Sequence, residues 1–132
     1  MFNLKKLALT FLLILIASVP AMAAPSQGEI ELSPTGEMPD FSGLVSLAER
    51  RSGVQSLAVR VNAPLPDGSA LRITVVKSGE ELDLAVVTVE LGTAYFKLVD
   101  SGQPTGFFPT GKLEAFFVYY KNIRVLEGKN PN

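Results

Sequence analysis

Glu80, Glu81 and Asp83 are the densest acidic group in the chain. Carboxylates gathered that closely are the raw material of a calcium site, because hard cations take several oxygen ligands at once. The spacing lacks the alternating Asp/Asn-Gly pattern of calcium loops, so the group reads as a solvated hairpin tip. Any two of the 13 acidic residues could supply the carboxylate pair of a glycoside hydrolase. No position marks such a pair, and there is no tryptophan to stack on a sugar ring. Ser78 follows Lys77, but neighbours along a strand point to opposite faces, which separates a Ser-Lys pair. With no cysteine and no histidine, neither a Ser-His-Asp nor a Cys-His nucleophile system can be built. A zinc site of the usual Cys/His kind is excluded on the same ground. No catalytic residue, cofactor or metal ligand is expected.

Aromatic residues are the remaining candidates. Phe107-Phe108-Pro109 falls in a stretch punctuated by Gly102, Pro104, Gly106 and Gly111, where a loop is expected. In the strand that follows, Leu113, Ala115, Phe117 and Tyr119 line one face, and Phe116, Val118 and Tyr120 line the other. One face enters the core. The second requires a cover, either the Phe107-Phe108 loop folding back or a partner molecule. Phe107, Phe108, Phe116, Tyr119 and Tyr120 are therefore the expected contact surface, tyrosine combining an apolar ring with a polar tip. Lys112, Glu114 and Lys121 flank the strand as gatekeepers against aggregation.

These residues must be carried to their place of work and held there by a fold. Lys5 and Lys6 precede the uncharged run Leu7–Val19, Pro20 breaks it, and Ala21-Met22-Ala23 offers the small side chains of a cleavage site. This is the three-zone order of a secretory signal peptide. The run spans about 20 Å as a helix, short of the ~30 Å hydrocarbon core of a bilayer. Cleavage before Ala24 leaves an exported domain, periplasmic or extracellular, with no stable membrane span. Without cysteine there is no lipid anchor and no disulfide, so the domain must stand on its hydrophobic core. The mature 109 residues carry 10 basic and 13 acidic side chains, net −3. Mild acidity without a basic run longer than Arg50-Arg51 argues against nucleic acid or an anionic membrane surface as partner.

Residues 24–40, punctuated by Gly28, Pro34, Gly36 and Pro39, read as a flexible leader in which only Glu29–Leu32 could pair. Phe41–Arg51 has two readings. Asp40 could cap a short helix, or Gly43–Glu49 could be a strand that turns at Arg50–Gly53 and returns through Val54–Val61. Ser42, Gly43 and Ser46 are poor helix residues, and the hairpin is favoured. Leu57, Val59 and Val61 alternate with Ser56, Ala58 and Arg60. Leu71, Ile73 and Val75 alternate with Arg72, Thr74 and Val76. Leu82–Leu91 is nearly all apolar and reads as a strand buried on both faces. Leu91-Gly92 turns the chain into Ala94–Val99, and Lys121-Asn122 turns Leu113–Tyr120 into Ile123–Glu127. Residues 129–132 read as a tail. Residues 41–128 are thus expected to form an all-β domain, an antiparallel sandwich of seven or eight short strands.

The stretch from Leu57 to Val75 contains Leu65-Pro66-Asp67-Gly68-Ser69 between two strands. It resembles a module of exported bacterial proteins that runs a strand into an LPDGT turn and then further hairpins, with Ser69 here in place of the threonine. The resemblance implies an immunoglobulin-like sandwich over roughly Gly43–Gly128 and implies no particular activity.

The expectation is an exported, non-enzymatic domain acting by contact with another envelope protein, an envelope component or itself. Two alternatives stand beside it. One is a carrier of a small apolar ligand in an aromatic-lined cavity. The other, less favoured, is a carboxylate-based hydrolase.

Overall fold

The computed structural model describes residues 26–102 and 106–131. The expected signal peptide and its cleavage site lie outside the described residues. Eight strands follow in chain order: β1 (Ser26–Pro34), β2 (Ser42–Glu49), β3 (Gln55–Asn62), β4 (Ala70–Lys77), β5 (Glu80–Thr88), β6 (Thr93–Val99), β7 (Leu113–Tyr120) and β8 (Ile123–Lys129). Local sequence dictates the sharpest turns. Ser78-Gly79, Leu91-Gly92 and Lys121-Asn122 each place two successive residues at positive φ. This is the turn whose twist matches that of antiparallel strands.

All eight strands join in one antiparallel sheet of order β5-β4-β7-β8-β1-β2-β3-β6, nearly closed into a barrel. A sandwich of two separate sheets was expected. The difference lies in β1, which pairs with β2 from Ser26 to Leu32 and then passes to β8 through Ser33–Glu127 and Pro34–Leu126. The handover is extended by Thr35, whose N–H donates to the Val125 carbonyl (3.1 Å) and whose hydroxyl donates to the Arg124 carbonyl (2.7 Å). Two glycines permit the crowding around it. A Cβ on Gly128 would stand 2.6 Å from the Glu31 carbonyl oxygen, and one on Gly43 would stand 2.9 Å from Leu32 Cδ1.

Alternate residues of every strand converge on one core. Val45, Leu57, Val59, Leu71, Ile73, Val75, Phe116, Val118, Val125 and Leu126 are all fully buried in it. Burial of this apolar surface drives assembly in a chain without disulfides.

Three expectations change. Ser26–Pro34 is a paired strand with Ile30 and Leu32 buried, not a flexible leader; its Gly28 and Pro34 are tolerated because Ile30 and Leu32 anchor the segment between them. β5 is an edge strand and not one buried on both faces, so Val86 is 68% exposed. The tail begins later than Lys129, which pairs with Ala115, and Asn130 follows it by donating from its N–H to the Glu114 carbonyl. Phe41–Arg51 resolves as the strand of the favoured hairpin.

Candidate functional site

The aromatic face of β7 divides as its alternation requires. Phe116 and Val118 point into the core with no exposure, and Tyr120 packs partly buried against the same cluster. Phe116 is therefore a core residue and no part of a contact surface. Phe107 also packs against the core from the loop before β7, and Phe108 is half-buried. That loop is tied across the molecule: Lys77 Nζ donates to the Gly106 carbonyl (2.8 Å), and the Thr110 N–H donates to Gln55 Oε1 (2.8 Å).

The opposite face of β7 carries Phe117 and Tyr119, and arginine side chains of β4 and β8 lie over their rings. The Arg124 guanidinium lies 3.7 Å from the Phe117 ring centroid, and that of Arg72 lies 4.3 Å from the Tyr119 centroid. These are cation–π contacts. Arg72 also pairs with Asp83 at 2.9 Å. The Tyr119 hydroxyl donates to Glu81 Oε2 (2.5 Å) and accepts from Arg124 through Nε (3.2 Å) and a terminal guanidinium nitrogen (2.9 Å). The Thr74 hydroxyl donates to the same Glu81 oxygen at 2.6 Å. Thr74 is only 1% exposed although it sits on the outward side of β4. The cluster above it thus acts as a second, polar packing layer outside the barrel.

Two slips in strand register assemble this layer. Between Ile73–Ala85 and Thr74–Asp83 the β4–β5 ladder skips one residue, which turns Glu81 and Asp83 outward and Leu82 inward. Between Val118–Leu126 and Tyr119–Arg124 the β7–β8 ladder skips Val125. Without that slip Tyr119 would face Val125. The acidic group singled out for its density is therefore split. Glu81 and Asp83 serve the arginine–aromatic layer, and Glu80 lies exposed beside the turn.

The hydrogen bonds from Thr74 and then Tyr119 hold the Glu81 carboxyl below the usual carboxylate range. Partial burial opposes this, and the positive charges of Arg124 and Arg72 reinforce it. Arg124 is held above its already high ordinary value, chiefly by its hydrogen bond with Tyr119. Both groups stay ionised at neutral pH. The Arg124 side chain keeps 41% of its surface exposed, so one flank of the layer can still engage a planar or anionic group.

Beside the layer the surface falls into a furrow. Where β1 leaves β8 for β2, a groove of about 530 Å³ opens between Phe117, Arg124, Glu127 and Lys129 on one side and Glu31 and Ser33 on the other. Glu31 and Ser33 also wall a second depression of about 390 Å³, which continues over Gly43 to Leu44 and Arg60. Leu44 and Arg60 in turn begin a third, of about 340 Å³, floored by Ser46, Ala48, Ser56 and Ala58 and ended by Tyr95 and Lys97. Arg60 lies 5.8 Å from the Tyr95 ring centroid. A cation–aromatic pair thus stands at each end of a furrow with a floor of small residues. All three depressions lie outside the barrel, whose two buried phenylalanines, Phe41 and Phe116, are packed within the core.

Of the expected contact residues, only Tyr119 belongs to this surface. Arg72, Arg124, Phe117, Arg60 and Tyr95 were not anticipated. Their signal was a polar or aromatic residue at each outward position of strands already recognised, but their proximity depends on strand order. No family model, no curated protein and no solved structure matches the chain.

Proposed function

We propose that the chain is an exported, non-enzymatic domain that works by contact, and that another protein or other component of the envelope lies along the furrow between Phe117–Arg124 and Tyr95–Lys97. The observation that carries this reading is the succession of three depressions with shared walls, flanked by cation–aromatic pairs. Tyrosine, phenylalanine and arginine are the side chains enriched at protein interfaces, where they anchor in desolvated pockets. A floor of Ser46, Ala48, Ser56 and Ala58 lets a partner backbone come close. Export rests on Lys5-Lys6, the run Leu7–Val19 and the small residues before Ala24, and it places the domain in the periplasm or outside the cell. In the same reading β1-β2-β3-β6 and β5-β4-β7-β8 are the two layers of an immunoglobulin-like sandwich bridged by β1.

The test is retention of envelope components by the chain from Ala24 onward, compared with Ala58→Arg, which fills the furrow from an outward position. The expected result is a component retained by the native domain and lost by the variant. Retention that is unchanged when the furrow is filled would overturn the reading. Hydrolysis of an envelope polysaccharide, abolished by changing Glu31 and Glu127 together to Gln, would replace it with a hydrolase, since those two carboxylates share the groove beside Phe117.

A further inference from the structure

Across β2, β3 and β6 the outward residues stand in rows. Leu44 is in register with Arg60 and Tyr95, and Ser46 with Ala58 and Lys97. The depression of about 340 Å³ over these rows has two basic residues in its walls and no carboxylate. The other two depressions differ, since both set Glu31 against their basic residues. Over the whole chain acids outnumber bases, 13 to 12, so the positive charge here is a local arrangement.

These two cations are also unpaired. In the other half of the sheet Arg72 is bridged to Asp83 and Arg124 to Glu81. Among the described residues no carboxylate pairs with Arg60 or Lys97, and Arg60 lies toward the Tyr95 ring. Lys97 stands opposite Ala58 and so diagonal to Arg60. Diagonal neighbours on a sheet face are about 7–8 Å apart, close enough for two long side chains to converge on one group. On the far flank of the same face Glu29 stands opposite Ser46 and Glu31 opposite Leu44. The face therefore passes from acid on β1, through small neutral side chains, to base on β3 and β6.

From this gradient we infer that the furrow takes a saccharide chain bearing carboxylates, a polyuronate in chemical class, with one acid group held between Arg60 and Lys97. The inference rests on the contact reading and names the chemistry of its partner. A carboxylate suits an arginine beside a lysine, because charge-assisted hydrogen bonds form on both sides of it. Sugar hydroxyls suit the rest of the face, where Ser46 and Ser56 can donate and accept and Glu29 can accept. The exposed Tyr95 ring offers its electron-rich face to the C–H groups of a sugar ring, and the Ala48 and Ala58 methyls let that ring come close to the sheet. An acidic peptide suits the face less well. Sheets recognise peptides through unpaired strand edges, and both edges of β2 and of β3 are already paired. An acid group turned toward β1 would meet Glu29 and Glu31, so the bound sugar points its carboxylate at β6.

Titration of the purified chain with galacturonate, glucuronate and mannuronate oligomers tests this by calorimetry. At least one is expected to bind, more weakly as salt rises. Arg60→Gln and Lys97→Gln should each weaken that binding about tenfold, the effect of losing one charged hydrogen bond. Lys97→Arg should bind as the native chain does, and so should Lys121→Gln, which lies in the β7–β8 turn. The methyl ester of the bound oligomer keeps the sugar, loses the charge and should bind as weakly as the Gln variants. All three side chains are exposed, so unaltered urea midpoints separate lost binding from lost folding. The inference is overturned if none of the three oligomers binds, or if a glutamate oligomer or the methyl ester binds as tightly as the uronate. It is equally overturned if Arg60→Gln and Lys97→Gln both leave the affinity intact. An envelope component retained by the native domain and lost by Ala58→Arg, with no uronate bound, overturns the saccharide and leaves the contact reading standing.

Discussion

In the β5-β4-β7-β8 half of the sheet, each of the three ladders slips by one residue; in the β1-β2-β3-β6 half none does. The outer faces differ in the same way. The slipped half carries Arg72, Glu81, Phe117, Tyr119 and Arg124 locked to one another, and the regular half carries Ser46, Ala48, Ser56 and Ala58 along an open depression. Bulges re-aim side chains and increase local twist, so irregular pairing lets long side chains converge and satisfy themselves. Regular pairing leaves a flat face and a flat edge. One half is closed on itself and the other is open to company.

The boundary between the halves is where the comparison can be broken hardest. Gly128→Ala pushes a Cβ against the Glu31 carbonyl oxygen and should cost about 3 kcal/mol of stability, as overpacking does. A large drop in the urea midpoint checks this, and an unchanged midpoint would mean the handover is slack. Next comes one change made on both faces. Tyr119→Phe strips Glu81 of a donor and Arg124 of an acceptor and should cost about 1.5 kcal/mol. Tyr95→Phe, at a residue 53% exposed, should change the same denaturation curve within roughly 0.5 kcal/mol.

Acid should separate the halves too. Since Glu81 is held below its ordinary value when folded, its contribution is present above its unfolded value, about 4.3. That contribution is lost as the pH falls through the lower, folded value. Glu81→Gln should therefore reduce stability by about 1 kcal/mol at pH 7, modest because a third of the side chain is exposed. The difference should vanish in strong acid, as urea titrations at both pH values would reveal. The smallest effect is expected on the regular face, where Ser46→Ala should shift the midpoint by less than about 0.5 kcal/mol. A larger loss would show that the furrow floor is structurally committed.

Local features of the sequence were the legible ones. Ser78-Gly79, Leu91-Gly92 and Lys121-Asn122 announce their turns by residue type, and the alternation in β3, β4 and β6 identifies the buried side of each strand. What stayed hidden depends on neighbours far apart in the chain. β5 looked buried on both faces because Leu84, Val86 and Val87 are apolar; its place at the sheet edge follows from strand order. Ser26–Pro34 resembled a leader because its partners lie in β2 and β8. The arginine–aromatic layer needs β7 between β4 and β8, and it needs two slips that no residue in the bulges advertises. Arg124 gave no sign that it would meet Tyr119, which lies just across its own hairpin.

The handover of β1 also has a timetable. Thr35 and Arg124, which bond where the halves join, are 89 positions apart. At roughly 5–20 residues per second of synthesis, β1 exists for several seconds before any of β8 does. During that interval β2 is the partner already at hand, and the β1-β2-β3 meander can form while Ser33 and Pro34 wait. The last hairpin to be made is therefore the one that joins the halves, and a chain interrupted before Ile123 would hold all the strands of the open half and have nothing to fasten them to.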